Sequence, residues 1–288
     1  MASNIVQRVG FAVVAIPLAL GLIWLGGLPL ALLVSVVGVL GTRELYRFAE
    51  RQDIQPLVVP GLATAALIPL LVWAAGESVA VRDAISAWWS YAVALWTIAV
   101  LMLILVMRGP AERPLAVVAI TAFGVLYAAA LPAFLLSIRH GGHGTRSWAG
   151  AVLVFLPLVV TWICDSAAMF VGKAVGGPKL SPTISPGKTR SGGIGGLVGA
   201  VLAAVLWNQF AMAPLGVAIE TSEAILFGLV LGVVGQVGDL AESLFKREVG
   251  VKDSSGLIPG HGGVLDRFDS LYFILPVAAA LLRWFGAA

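Results

Sequence analysis

SLFKREVGVKDSSGLIPGHGGVLDRFD, residues Ser243–Asp269, is a charged stretch between two strongly apolar segments of a 288-residue chain. Its ionisable side chains include Lys246, Arg247, Lys252, Asp253, His261, Asp266, Arg267 and Asp269. Charge at this density beside a lipid-embedded segment is costly, and it is retained where it serves a function. The stretch therefore indicates a polar site at one edge of a membrane domain.

The composition of the whole chain agrees with a membrane location. Hydrophobic residues make up 59% and charged residues 11%, and the mean hydropathy is +0.99. Soluble domains carry about 25% charged residues. Cys164 is the only cysteine, so an intrachain disulfide is excluded.

The hydropathy pattern predicts an all-α polytopic integral membrane protein. A helix needs about 20 mostly apolar residues to cross a bilayer, and the first apolar run lacks the small-residue cleavage site of a signal peptide. We predict nine spans, at 9–26, 28–48, 57–75, 85–107, 114–137, 149–173, 193–212, 223–246 and 267–286. The count depends on a tight turn at Gly26-Gly27-Leu28-Pro29 and a break at Arg108-Gly109-Pro110.

The basic residues predict the orientation of these spans. Of the 18 lysines and arginines, all but four fall on the side of the N-terminus; the four are Arg82, Arg139, Arg146 and Arg283. The positive-inside rule then predicts a cytoplasmic N-terminus and an external C-terminus. We divide the chain into 1–140, about five spans without a motif, and 141–288, which carries two long cytoplasmic loops at 174–192 and 247–266.

Two aspartates lie within predicted spans near the cytoplasmic end. Asp239, Glu242, Ser243 and Lys246 share one helix face, and Asp165 lies at a depth similar to that of Asp239. Carboxylates on two helices are suited to Mg²⁺, which prefers oxygen ligands. The alternatives are an internal salt bridge of Lys246 with Asp239 or Glu242, and a pair between Asp165 and a loop lysine.

The start of the last span carries a second pair of acids. Asp266 and Asp269 are three residues apart and follow Gly262 and Gly263. Glycines allow backbone N–H groups to approach an anion closely. The alternative is that the acids cap the helix, because its N-terminus favours negative charge.

The loop 174–192 is basic and rich in hydroxyls. It and its flanks contain Lys173, Lys179, Lys188 and Arg190, with Ser181, Thr183, Ser185, Thr189 and Ser191. Glycines then open the next helix, and a helix N-terminus of this kind suits a phosphate. The alternative is a loop that binds anionic lipid headgroups.

These two regions resemble the phosphatidate cytidylyltransferases, also called CDP-diacylglycerol synthases. The first motif is Ser-x-x-Lys-Arg-x(4)-Lys-Asp-x-x-Gly-x-x-Pro-x-His-Gly-Gly-x-x-Asp-Arg-x-Asp, over Ser243–Asp269. The second runs from Asp165 through Lys-Leu-Ser-Pro-x-Ile-Ser-Pro-x-Lys-Thr at 179–189, and it departs at Ser191, where the family commonly has glutamate. The resemblance covers about 165–269 and implies transfer of CMP from CTP to phosphatidate, with release of diphosphate.

The residues and the resemblance together give a set of expected roles. Asp239 and Asp266 would ligate Mg²⁺, with Asp165 and Asp269 in support, and a second cation is compatible with four acids. His261 would position a polar group or relay a proton. Phosphates would be neutralised by Lys173, Lys179, Lys188, Lys246, Arg247, Lys252 and Arg267, and further substrate contacts would come from Ser181, Ser185, Thr189, Ser243, Gly262 and Gly263.

The expected partners are CTP, phosphatidate, membrane lipid and a second copy of the chain, with no nucleic acid. The expected location is the bacterial plasma (inner) membrane, with the site facing the cytoplasm. A cation-coupled transporter would use the same intramembrane acids, but the chain shows no internal repeat. The aspartate signatures of CDP-alcohol phosphotransferases and polyprenyl transferases are absent.

Overall fold

The computed structural model describes residues 2–258, 260 and 262–287, with side chains from residue 13 onward. Over these residues the chain is about 80% helical. The α-helices are α1 (Ala2–Leu25), α2 (Gly27–Glu50), α3 (Val58–Glu77), α4 (Val79–Met107), α5 (Pro114–Val125), α6 (Leu131–His140), α7 (Trp148–Val175), α8 (Arg190–Trp207), α9 (Thr221–Glu248) and α10 (Leu265–Trp284). Short π-helical segments, Leu126–Ala130 and Asn208–Met212, join α5 to α6 and extend α8.

The predicted all-α polytopic architecture is confirmed. Each of the nine predicted spans corresponds to one helical segment of the described chain, with Pro114–His140 forming a single span. Seven segments are long and apolar enough to cross a membrane. The last helix is not among those seven because Asp266, Arg267 and Asp269 lie in its first turns. The orientation of the termini relative to a membrane stays a prediction.

Glycine conformation explains the predicted turn between the first two helices. Gly26 and Gly27 have φ angles of +65° and +62°, a region that other residues rarely adopt. Only Gly26 separates α1 from α2. The predicted break at Arg108-Gly109-Pro110 is also present, since a 3₁₀ turn at Pro110–Glu112 separates α4 from α5.

The C-terminal helices pack closely because small residues line their contacts. A side chain at Gly192 would collide with the Ala168 carbonyl of α7, and one at Gly228 would collide with the α8 backbone at Val201. Small residues allow membrane helices to approach in this way. A Cβ at Gly238 would come 3.1 Å from the Asp269 carbonyl oxygen of α10. This contact sets Asp239 beside the start of α10.

Hydrogen bonds tie together the loops at each end of the bundle. At one end, Arg247 donates to the carbonyls of Ile184 and Val251 at 3.3 and 2.9 Å, which joins the two long loops. At the other end, the fully buried Arg139 donates to the carbonyls of Ile23 and Trp24 at 2.6 and 2.7 Å. The long loops therefore share one end of the molecule, as the span order predicts.

The loop 174–192 contains a β-hairpin, which the sequence does not predict. Strands β1 (Lys179–Ser181) and β2 (Ser185–Thr189) pair antiparallel, with Lys179 opposite Thr189 and Ser181 opposite Ser185. The strands are too short for alternation of apolar and polar residues to reveal them. The hairpin leads directly into α8.

Candidate active site

Lys188 of β2 forms an ion pair with Asp239 of α9. Both side chains are partly buried, with 29% and 26% of their surface exposed. The second carboxylate oxygen of Asp239 lies 3.4 Å from the Ser243 hydroxyl, one turn further along the helix. Lys188 and Ser243, two predicted substrate-binding residues, therefore meet the predicted metal ligand Asp239.

Three of the four predicted acids, on α7, α9 and α10, lie within electrostatic range of one another. Asp239 and Asp269 both lie within electrostatic range of Asp165, and so does Lys188. Asp165 is exposed and accepts no hydrogen bond from the described residues. Asp269 accepts one from the backbone of its neighbour Ser270 at 2.7 Å. Lys188, the loop lysine, pairs with Asp239 and not with Asp165.

The fourth acid, Asp266, is surrounded by protein donors. One oxygen accepts from Lys246 Nζ at 2.7 Å. The other accepts from the backbone N–H of Ser254 at 2.7 Å, the Ser254 hydroxyl at 2.8 Å and the Gly263 N–H at 2.8 Å. Asp266 thus holds the loop against the start of α10. Oδ2 is surrounded by these donors, whereas Oδ1 accepts from Lys246 alone among the described residues and keeps a lone pair. The role of Asp266 as a metal ligand stays a prediction.

Lys246 lies in a buried charge cluster. Its ammonium lies 3.1 Å from Glu242 Oε1 and 2.7 Å from Asp266 Oδ1, and only 11% of its side chain is exposed. The internal salt bridge to Glu242, one of the alternatives above, is therefore present. Charge pairing of this kind is what allows a lysine to be buried. Lys246 can act on a bound phosphate only from within this cluster.

Glu44 of α2 was missed by the sequence interpretation. It is 2% exposed and accepts hydrogen bonds from both loop serines and from the first turn of α10 (described below). The sequence carries one indication of its role: Glu44 is an acidic residue inside the predicted span 28–48, and an ionisable residue within a span is a functional candidate by default. No motif marks that part of the chain, so nothing in the sequence indicated its partners.

The glycine pair in the loop lies against carboxylates of the protein itself. A Cβ at Gly263 would overlap the Glu44 carboxylate and the Ser254 hydroxyl, and one at Gly262 would come 2.6 Å from Asp266 Oδ2. Gly262 also has a φ of +82°. The Gly263 N–H already donates to Asp266. The prediction that this pair binds an anionic substrate stays a prediction.

Other predicted basic residues lie on the surface near these acids. Four of them are exposed and form no ion pair with a described acidic residue; they are Lys173, Lys179, Lys252 and Arg267. Arg247 is also exposed, but its guanidinium joins the loops through two carbonyls. These side chains form a positively charged rim. The four cations without a described acidic partner are suited to bind phosphates.

The hydroxyls of the hairpin are used mainly to begin α8. Thr189 caps this helix, since its hydroxyl accepts from the Gly192 N–H at 3.1 Å. Ser191 donates to the Gly176 carbonyl, so the position that departs from the family motif closes the base of the hairpin. Ser181 and Ser185 face each other across the strands. His261 lies outside the described residues.

Comparisons with known proteins match almost the whole length of the chain. The model of the cytidylyltransferase family matches residues 6–285, which include every acid and base described above. The chain belongs to the cytidylyltransferase family. This membership confirms the resemblance that the two motifs indicated.

Relatives of this chain come from several bacteria. A phosphatidate cytidylyltransferase of Bacillus subtilis is 34% identical over 97% of this chain and 98% of its own length. One from Synechocystis is 32% identical over 94% of each chain. One from Brucella suis is 46% identical over 162 residues, a match that spans 55% of that relative's length. The name these relatives carry is that of a nucleotidyltransferase, in agreement with the predicted class of enzyme.

Proposed function

We propose that this protein transfers CMP from CTP to phosphatidate, giving CDP-diacylglycerol and diphosphate. The observation that carries the proposal is the Lys188–Asp239 ion pair, which joins a hairpin at the end of the bundle to an intramembrane helix. An acid cluster beside a basic rim at the end of the bundle suits a reaction between a lipid phosphate and a water-soluble nucleotide. The name that the relatives carry supports the same two substrates.

The reaction joins two anions, so charge neutralisation is its main requirement. An oxygen of the lipid phosphate would attack the α-phosphorus of CTP, and diphosphate would leave with the electrons of the broken P–O bond. Such transfers depend on positioning and electrostatic stabilisation. The exposed cations Lys173, Lys179 and Lys252 are suited to hold the nucleotide phosphates, with Lys188 at the reacting centre. Arg267 lies at the start of α10 and is suited to the lipid phosphate.

The acids fit a bound Mg²⁺ by their chemistry. In the described part of the chain, no three acidic, histidine or cysteine side chains form a ready-made metal cage. Mg²⁺ does not need one, because it is usually held by one or two carboxylates together with waters and substrate phosphates. Asp239 is the first candidate ligand, Asp165 and Asp269 lie within electrostatic range of it, and Asp266 would offer Oδ1, which accepts only from Lys246 among the described residues. The ion would supply stabilisation of charge on the phosphates.

We further propose that the reaction takes place at the cytoplasmic face of a bacterial plasma membrane. The basic residues cluster at the end of the bundle that carries the long loops, which is the pattern of a cytoplasmic side. CTP is a cytoplasmic metabolite, and phosphatidate has its headgroup at the membrane surface. At this face, CTP would reach the acid cluster from the cytoplasm, and the phosphatidate headgroup would reach it from the membrane surface. A homodimer stays a prediction.

The test is turnover by the purified protein in detergent. With CTP, Mg²⁺ and phosphatidate we expect diphosphate and CDP-diacylglycerol in equal amounts. Diphosphate is measured as the phosphate that a pyrophosphatase releases from it, and CDP-diacylglycerol is measured by lipid mass spectrometry. Diacylglycerol, which lacks the attacking phosphate, should give neither product. Release of diphosphate from CTP without phosphatidate would instead indicate a hydrolase. Phosphatidate-independent flux of cations in vesicles would favour a transporter.

A further inference from the structure

We infer that Glu44, in the N-terminal half of the chain, is a positioning residue for the motif loop 250–264 and for Asp266. The effect on kcat that we expect rests on the proposed function, whereas the positioning of the loop by Glu44 rests on contacts alone. Glu44 belongs to neither motif and lies about 200 positions from the loop along the sequence.

Four donors converge on the Glu44 carboxylate. Oε1 accepts from the Ser255 hydroxyl at 2.6 Å and from the Val264 N–H at 3.0 Å. Oε2 accepts from the Ser254 hydroxyl and from the Leu265 N–H, each at 2.9 Å. None of the four donors is charged, and the side chain is 2% exposed. A buried carboxylate is tolerated when such donors satisfy it.

These contacts fasten the loop at both of its ends. Ser254 and Ser255 lie in the first half of the loop, whereas Val264 is the N-cap residue of α10 and Leu265 is its first residue. The first N–H groups of a helix have no partner within the helix, and a negative charge is favoured there. Glu44 therefore provides the cap that α10 lacks in its own sequence, since no side chain of its N-cap residue Val264 serves.

The Ser254 hydroxyl connects Glu44 directly to Asp266. It lies 2.9 Å from Glu44 Oε2 and 2.8 Å from Asp266 Oδ2. A hydroxyl has one proton, so the two carboxylates compete for it, and the Ser254 and Gly263 N–H groups complete the shell of Asp266. A shift of the Glu44 carboxylate would move Ser254, and with it the orientation of Asp266.

Gly263 shows how closely the loop is fitted to this side chain. A Cβ on Gly263 would overlap both Glu44 oxygens and the Ser254 oxygen. The glycine of the motif is thus required at this position by a residue of the other half of the chain.

The decisive variant is Glu44→Gln, with Glu50→Gln as the matched control on the same helix. Glutamine keeps the shape, but its NH₂ group would face one serine hydroxyl, which can rotate to accept from it, and one backbone N–H, which would be left unsatisfied. Glu50 pairs with Arg43 on its own helix, and no described hydrogen bond joins it to the loop. We expect kcat to fall by roughly tenfold to a hundredfold in Glu44→Gln, as for a misplaced catalytic group, and to stay unchanged in Glu50→Gln.

The loop itself provides a readout that does not depend on activity. In a Cys164→Ala background, a cysteine at the exposed Leu257 reports the loop, and one at Ser185 reports the hairpin. We expect Glu44→Gln to speed thiol labelling at 257 severalfold and to leave labelling at 185 unchanged. This arm stands even if the protein does not use CTP and phosphatidate, so it separates failure of this inference from failure of the proposed function.

A milder variant covers the case in which Glu44→Gln does not fold. Ser255→Ala removes one donor, and we expect a decrease in kcat of about threefold to tenfold with faster labelling at 257. Unchanged labelling at 257 in both variants would overturn the inference. So would equal acceleration at 257 and 185, because that result would indicate general loosening of the fold.

Discussion

Lys188 of the hairpin and Asp239 of α9 form an ion pair across 51 positions of sequence. The pair is partly buried, so each charge has lost part of its water and depends on the other. A phosphate entering this region would offer Lys188 a second anionic partner, and a cation at Asp239 would replace the lysine there. The two residues are therefore the point at which nucleotide binding and acid-cluster chemistry would be coupled.

Replacement of Asp239 by asparagine tests the role of this acid. Asp239→Asn keeps the volume but removes the charge that balances Lys188, and we expect turnover to fall by about a hundredfold or more, as for removal of a key electrostatic group. Activity is measured over a range of Mg²⁺ concentrations. Folding is checked by the Tm in detergent. Near-normal turnover at high Mg²⁺ would mean that Asp239 is structural.

Lys188→Ala distinguishes a nucleotide contact from a lipid contact. If Lys188 binds a CTP phosphate, we expect the KM for CTP to rise or kcat to fall at every lipid composition. Lys179→Ala, at the exposed start of the same hairpin, is the comparison variant, with a smaller effect expected. A defect in Lys188→Ala that disappears when anionic lipid is added would contradict the nucleotide role. Salt aids the comparison, since exposed charges are screened beyond about 8 Å at physiological ionic strength.

Gly263→Ala and Gly256→Ala test the fit of the motif loop. Alanine at Gly263 would overlap Glu44 and Ser254, whereas a Cβ at Gly256 meets no atom within 4 Å. We expect Gly263→Ala to destabilise the protein by about 1–3 kcal/mol, as for overpacking in a core, and Gly256→Ala to have little effect. The Tm in detergent and CTP turnover are the measurements. Equal behaviour of the two variants would mean that the loop adapts freely.

Thiol labelling tests the orientation of the bundle. In a Cys164→Ala background, cysteines at Ser185 and Leu257 should react only with a thiol reagent on the cytoplasmic side of the membrane. A reagent outside the vesicles should therefore label them in inverted vesicles and not in right-side-out vesicles. A cysteine at the exposed Ser222, at the other end of α9, should react only from outside. Reaction of Ser185→Cys from outside would reverse the predicted topology.

The fold is largely predictable from the sequence because the hydropathy signal of each membrane helix lies within its own chain segment. Each span is a continuous apolar run, and each break follows from glycine or proline, as at Gly26-Gly27 and Arg108-Gly109-Pro110. The hairpin at 179–189 was not predictable in this way. Its strands are three and five residues long, which is too short for a periodic signal.

The four aspartates of the site are predicted from the sequence, whereas Glu44 and the partners of all these acids are not. Motif and depth indicated Asp165, Asp239, Asp266 and Asp269 as a group. That Asp239 pairs with Lys188, while Lys246 pairs with Glu242 and Asp266, follows from the way α9 packs against the hairpin and α10. Helix-face arithmetic places the four residues of α9 together, but it cannot choose among partners on other elements.

The sequence by itself determined the membrane class, the spans and the motif residues, because hydropathy and charge are properties of local chain segments. Only the tertiary structure assigned Glu44 to the loop, since its partners lie more than 200 positions away. A buried carboxylate must find donors somewhere, and the chain offers many. Which donors it meets is decided by helix packing, and here the packing places a residue of α2 at the start of α10.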